Sequence, residues 1–217
     1  MSKYTIVVAC ALYSDYGIYT PQQRIAQTLE TVDSIRKYIP NSTILLIDNS
    51  KIDVQNDNST ELNQLLDAVD YYFDNSEDPD IQYFHNNVSN YDVGKNSMET
   101  LGTLKVFKHI LEDQEVLDVI KNSNRVFKLS GRYVITDQFD LTKFDNEFTK
   151  DKYVFKKAAK AWIPEADTGV TTLLQTRFFA FDPSLLEDTV TLYRQILGFP
   201  HQRMYGSEVE RIKYRSK

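Results

Sequence analysis

The sequence predicts an α/β fold: an open, mostly parallel sheet with a mixed subregion at its C-terminal end. Three observations carry this expectation. Two short, nearly continuous apolar runs, Tyr4–Cys10 and Thr43–Ile47, read as strands buried on both faces, as in a parallel sheet covered by helices. An amphipathic helix pattern lies between them. Strand and helix patterns then alternate to about residue 133, after which the pattern changes.

Each element has its own signal. From Gln22 to Tyr38 the apolar residues Ile25, Leu29, Val32, Ile35 and Ile39 recur at spacings of 4, 3, 3 and 4, one face of a helix that Pro40-Asn41-Ser42 ends. The strand Thr43–Ile47 stops at Asp48-Asn49-Ser50, completing a βαβ unit with a right-handed crossover. Residues 51–60 are polar and loop-like. Glu61–Tyr72 reads as a helix, Asn75–Asp80 as an acidic loop and Ile81–Phe84 as a short third strand. Gly94-Lys95-Asn96-Ser97 leads into a long helix with Met98, Leu101, Leu104, Phe107, Ile110 and Leu111 on one stripe, and a short helix covers Glu115–Lys121. Arg125–Leu129 is the fourth strand, running into Ser130-Gly131-Arg132-Tyr133. Strand-like pieces follow at Tyr153–Ala158 and Thr172–Phe181, then helices at Leu185–Leu197 and, capped by Ser207, at Glu208–Tyr214.

Composition narrows the class. The chain has 217 residues, 41% of them hydrophobic, enough for a sizeable core. One cysteine, Cys10, leaves no disulfide framework and no thiolate metal cluster, and its place in a buried strand makes it inert. No apolar run approaches a bilayer span, and the N-terminus carries no signal-peptide pattern, so a reducing, cytoplasmic setting is expected. The net charge of −6 argues against nucleic acid as a partner. Two basic clusters oppose that average, Lys150 to Lys160 and Arg203 to Lys217. Each reads either as a solvated face or as a surface for an anionic substrate or acidic membrane. His85, His109 and His201 form no metal-binding spacing, and no phosphate-binding P-loop or nucleophile elbow is present.

In open α/β sheets ligands bind beyond the carboxyl ends of the strands, which singles out the loops after Ala9, Ile47, Phe84 and Leu129. The first holds Tyr13, Asp15, Tyr16 and Tyr19, rings that stack on a base or simply pack. Asp48, with Asn49, offers an acceptor for a base or ribose hydroxyl, or else caps a turn. Gly94 and Lys95 allow close approach and supply a point charge for phosphate, or merely start a helix. Arg132, within Ser130, Gly131 and Tyr133, offers a bidentate fork for a diphosphate, or pairs with a structural carboxylate. Taken jointly they describe a nucleoside-diphosphate site.

The order Ile-Val-Val-Ala-Cys, helix, Ile-Leu-Leu-Ile-Asp-Asn-Ser, Gly-Lys-x-x-x-Glu, then Phe-Lys-Leu-Ser-Gly-Arg-Tyr resembles GT-A-fold nucleotide-sugar glycosyltransferases, in particular small bacterial and viral members with a Lys-x-Ser-Gly-Arg-Tyr segment. Leu174 to Phe179 and Gly206 to Glu210 agree with it, and the likeness covers about residues 4 to 214. The resemblance implies one GT-A-like domain over 1–217, with a Rossmann-like nucleotide-binding half at 1–133 and an acceptor half at 134–217. It implies sugar transfer from a nucleoside-diphosphate donor to a glycan or lipid-linked acceptor hydroxyl. Asp48 then matches the nucleoside-contacting acid, and Gly94, Lys95 and Glu99 the start of the central helix. Ser130 to Tyr133 occupies the place where such enzymes usually carry Asp-x-Asp, the holder of Mn²⁺ or Mg²⁺. No metal ligand is therefore assigned: either Mn²⁺ or Mg²⁺ is still held as a cofactor without a well-placed Asp-x-Asp, or Arg132 with Lys95 or the basic residues of the 150s replaces the cation at the leaving diphosphate. Asp78-Pro79-Asp80 precedes the expected third strand, on the wrong side for a metal. For the base the order is Glu208, then Asp137 and Asp167. The other reading of Glu208 is a helix-start carboxylate stabilised by the dipole. Trp162 and Arg177 are candidate acceptor contacts, with core packing the other reading of Trp162. A nucleotidyltransferase and a catalytically silent nucleotide- or sugar-binding module are the alternatives. The first strand lacks the Gly-rich basic loop of the former.

Overall fold

A computed structural model of the chain describes residues 3–51, 59–89, 91–155, 158–160, 172–174 and 176–205. Strand β1 (Tyr4–Cys10) pairs in parallel with β2 (Ser42–Asp48), from Tyr4 opposite Ser42 to Cys10 opposite Asp48. Side chains alternate across each strand: Ile6 and Val8 enter one core, Val7 enters another, and none of the three is solvent-exposed. That double burial is why both strands read as unbroken apolar runs.

The first core is closed by helix α1 (Pro21–Tyr38) and helix α2 (Thr60–Ala68), through Ile25, Val32 and Ile35 of the former, Ile39 at its C-cap, and Leu62 and Leu65 of the latter. Thr20 caps α1 reciprocally with Gln23, and Pro21 takes the first helical position, where its missing N–H costs nothing. The second core is closed by α4 (Tyr91–Glu112), α5 (Gln114–Lys121) and α6 (Leu186–Tyr205), with α3 (Pro79–Asn87) preceding them. Strand β3 (Tyr71–Asp74) pairs in parallel with β2, and β4 (Arg125–Ser130) in parallel with β1. Strands β5 (Tyr153–Phe155), β6 (Ala158–Lys160), β7 (Thr172–Leu174) and β8 (Phe178–Phe181) follow. The main sheet has the order β3-β2-β1-β4-β8-β5, with β8 antiparallel to both neighbours, and β6 and β7 form a separate antiparallel ribbon. Six α-helices flank a mixed, mostly parallel six-stranded sheet among the described residues, an arrangement consistent with a Rossmann-like fold.

Two expectations are corrected. Glu61–Tyr72 is not one helix. The chain leaves α2 after Ala68 because Asp70 ties it to β2: its carboxylate accepts from Ile44 N at 2.7 Å and pairs with Arg36 at 2.8 Å. Tyr71–Asp74 is then the third strand. Ile81–Phe84 lies inside α3, since Asp78 caps that helix through Asp80 N and Ile81 N with Pro79 at the first turn. The strand-like run Thr172–Phe181 divides between the ribbon and the main sheet. The helix expected at Leu185–Leu197 starts with a short 3-10 turn at Pro183–Leu185 and runs on to Tyr205, and Glu208–Tyr214 lies outside the described residues.

The topology itself locates the site. From β1 the chain moves outward through β2 to β3, then returns to lay β4 on the other side of β1. The connections on either side of the β1–β4 pair therefore diverge, opening a crevice at the carboxyl ends of these two strands. Around β4, Phe127, Phe139, Phe144 and Phe178 pack together, some stacked and most edge-to-face or tilted, with ring centroids 5.3 to 6.3 Å apart. This cluster pins the segment after the Ser130–Tyr133 turn against the sheet.

Candidate functional site

A cavity of about 800 Å³ occupies this crevice, lined at its base by Ala9 and Cys10 from β1 and by Ser130 and Gly131 from β4. The β4 turn fits because residue 131 is glycine. Gly131 N donates to Ala9 O at 2.7 Å, and a Cβ there would lie 2.7 Å from Cys10 Cβ and 3.1 Å from Ala9 O. Arg132 N and Tyr133 N both turn back to Ser130 O, at 2.8 and 3.2 Å, which sends their side chains to the cavity opening. There the Arg132 guanidinium stands 5.3 Å over the Tyr19 ring, and Arg177 stands 5.5 Å over the Tyr133 ring. Lys95, on the second turn of α4, lines the same space.

The floor is polar and buried. Lys128, on β4 and 3% exposed, forms an ion pair with Glu99 of α4. Its ammonium also reaches Ser130 Oγ at 3.2 Å and Thr176 O at 3.4 Å, and Ser130 Oγ donates to Glu99 Oε1 at 2.7 Å. Burial pushes the Glu99 carboxyl up, but the Lys128 charge and the two hydrogen bonds outweigh it and hold the group below its ordinary range. Cys10 also lines the cavity. Burial and the nearby Asp48 raise its thiol well above the ordinary value, so it stays protonated.

Asn49 forms part of the wall. Its side chain is fully buried against Gly102 of α4, where a Cβ would come within 1.7 Å of Asn49 Oδ1. Asn49 Oδ1 accepts from Asn75 Nδ2 at 2.9 Å, and Asn49 O accepts from His85 Nε2 at 2.8 Å, which assigns the imidazole proton to Nε2. Asn49 Nδ2 has no hydrogen-bond partner among the described residues. Tyr16 stacks on His85 at 5.7 Å and donates to the carbonyls of Phe84 and Val88. Arg24 holds the β1–α1 loop by donating to the carbonyls of Ala11, Tyr16 and Tyr19.

The crevice thus gathers Asn49, Lys95, Ser130, Gly131, Arg132, Tyr133 and Arg177 from the sequence-derived set, but four residues of that set have other positions. Asp48 is fully buried and does not line the cavity. Its carboxylate accepts from Leu12 N at 3.0 Å, Ser50 Oγ at 2.8 Å and Tyr72 Oη at 3.3 Å, so it braces the strand-end loops instead of facing a ligand. Tyr13 packs on the first core with its hydroxyl buried. Gly94 seats the Tyr16 side chain: a Cβ there would come within 2.5 Å of its hydroxyl oxygen and 2.8 Å of its ring. Asp137 lines a separate surface groove of about 330 Å³ with Asp33 and Lys37, which shares no lining residue with the crevice. Glu208, Trp162 and Asp167 lie outside the described residues. Sequence reasoning missed Lys128 as a site residue, although a lysine inside an otherwise apolar strand signals a buried countercharge.

The described residues do not fit a divalent cation. Glu99 is the single carboxylate among those lining the crevice, and it is bound to Lys128. Asp78-Pro79-Asp80 lies after β3, not before a third strand as expected, but both its carboxylates pair with Lys105, at 2.6 and 2.7 Å. No helix among the described residues is long and apolar enough to cross a membrane. No family model matches the chain, and no curated protein matches it.

Proposed function

We propose that the protein is a glycosyltransferase of the GT-A kind, moving a sugar from a nucleoside-diphosphate donor to a glycan or lipid-linked acceptor hydroxyl in the cytoplasm. The observation that carries this reading is the charge of the crevice. A chain of net charge −6 turns Lys95, Arg132 and Arg177 toward one opening at the β1–β4 switch point. That is the environment a diphosphate requires, at the place where open α/β sheets bind nucleotides. In the transfer, the bond between the anomeric carbon and the β-phosphate oxygen breaks and its electron pair stays with the diphosphate. A new bond forms to the acceptor oxygen, whose proton passes to a base. Arg132 and Lys95 offset the charge that builds on the leaving diphosphate. Glu208 as the base and Trp162 as an acceptor contact rest on the family resemblance alone.

A thermal-shift panel of UDP-, GDP-, ADP-, CMP- and dTDP-sugars, each with and without Mn²⁺, tests the reading. One nucleotide class is expected to raise the melting temperature by mass action, to the same extent with and without the metal. No rise with any of them refutes the donor site. A nucleotide-sugar-binding module without turnover is the second reading. It is favoured by the pairing of Glu99 with Lys128, which leaves no described lining carboxylate free to take a proton. Saturable binding without hydrolysis or transfer of the sugar would decide for it.

A further inference from the structure

Charge along the crevice changes with depth. Arg177 is exposed, Arg132 and Lys95 are half-buried, and Lys128 and Ser130 are buried. Glu99 sits four residues after Lys95 on α4, one helical turn further along the same face. A carboxylate beside a diphosphate repels it, so Glu99 serves some other part of the ligand. Its own surroundings say which. Oε1 is taken by Lys128 and Ser130. Oε2 has no hydrogen bond to a described residue, and the side chain is 23% exposed where it lines the cavity. Lys128 meets three acceptors, Glu99, Ser130 Oγ and Thr176 O, matching its three protons. It therefore anchors Glu99 rather than contacting a ligand.

We propose that Glu99 accepts hydrogen bonds from hydroxyl groups of the transferred sugar, held in place by Lys128 and Ser130 as positioning residues. The inference rests on the glycosyltransferase reading and adds to it a direction: diphosphate at the cationic opening, neutral polyol at the floor. The ion pair keeps the carboxylate charged, which strengthens each bond it accepts and suits it to recognition, not to proton transfer.

Glu99→Gln tests the assignment by titration calorimetry with UDP and UDP-glucose, or with GDP and GDP-mannose, whichever nucleotide the wild type selects. Glutamine keeps the shape and removes the charge. The expected result is a loss of about tenfold or more in affinity for the nucleotide-sugar. Affinity for the bare nucleoside diphosphate is expected to hold or rise, because a repelling charge is gone. Since glutamine leaves Lys128 without its counterion, Glu99→Gln combined with Lys128→Met is measured beside it and is expected to show the same split. Equal losses for both ligands in the two variants, or no loss for either, overturn the role of Glu99. So does a wild type that binds the diphosphate and its sugar conjugate equally. A wild type that binds neither ligand overturns the nucleotide-sugar reading itself, and this inference with it.

Discussion

Replacing Asp48 by asparagine separates two forces that act on one buried carboxyl. Leu12 N, Ser50 Oγ and Tyr72 Oη all donate to it, which favours the charged form. Burial opposes them and wins, raising the pKa from 3.8 to about 6. The native state therefore keeps a proton that the unfolded chain has already released. Across the window from about pH 4 to about pH 6, stability falls as pH rises, and the full cost above that window is about 3 kcal/mol. Asparagine does not titrate, but it presents one amide N–H₂ to groups that are themselves donors, a loss of about 1–3 kcal/mol. Urea unfolding of wild type and Asp48→Asn, followed by circular dichroism from about pH 4.5 to about pH 7, reads both terms. The variant's deficit is expected to be largest at the acid end and to shrink by about 2 kcal/mol toward neutrality. Other titrating groups contribute equally to both proteins and cancel. A deficit that is constant, or that grows with pH, would mean that the donors hold the carboxyl at or below its ordinary range, and the claim that burial outweighs them would fail.

Three further substitutions probe the site and its supports. Arg132→Ala should weaken binding of a nucleoside diphosphate by about tenfold and leave the bare nucleoside unaffected in calorimetry, because it removes a charged phosphate partner; equal losses for both would refute the role. Gly131→Ala forces a Cβ to within 2.7 Å of Cys10 Cβ and 3.1 Å of Ala9 O, where β1 and β4 close together, and should cost about 1–3 kcal/mol in denaturant. An unchanged midpoint would show that the strand ends are not packed this tightly. Asp78→Ala removes the cap of α3 and one partner of Lys105, and should lower stability by about 1 kcal/mol; wild-type stability would mean that α3 does not depend on its cap.

The elements legible in the sequence were those with a strong period. β1 and β2 announced themselves as apolar runs because helices cover both faces of the sheet, and α1 and α4 as apolar stripes at helical spacing. The third strand was misplaced because its neighbourhood is short and polar. Tyr71–Asp74 has four half-buried residues at the sheet edge, too few to show a period, whereas Asp78-Pro79 carried a helix-start signal that outweighs the apolar residues following it. Within the site, position along the chain was legible and side-chain direction was not. Asp48 and Asn49 are adjacent at the end of β2, yet one lies under the loop and the other against the crevice, a difference set by Leu12, Ser50 and Tyr72, which come from separate elements. Glu99 and Lys128 are far apart in sequence, and only the packing of α4 on β4 joins them.

That pairing changes what the crevice recognises. Counted one by one, its lining suggests a uniformly basic pocket, but Lys128 and Glu99 cancel each other at the floor, the buried Arg24 is engaged by the carbonyls of Ala11, Tyr16 and Tyr19, and Arg132 and Arg177 lie over tyrosine rings at the opening. A ligand anionic throughout would gain nothing from the floor and would meet the Glu99 carboxylate there. A ligand neutral throughout would leave the arginines unused. The gradient selects a molecule with a charged end and a hydroxylated end, and it fixes which end enters first. Long-range attraction of the anion to the arginines falls as salt is added, because exposed charges are screened over about 10 Å, whereas hydrogen bonds to Glu99 at the floor do not depend on ionic strength in that way. Added salt should therefore erode nucleoside-diphosphate affinity more steeply than it erodes the extra affinity contributed by the sugar, a difference that follows from arginines at the solvent-facing opening and a largely buried carboxylate at the floor.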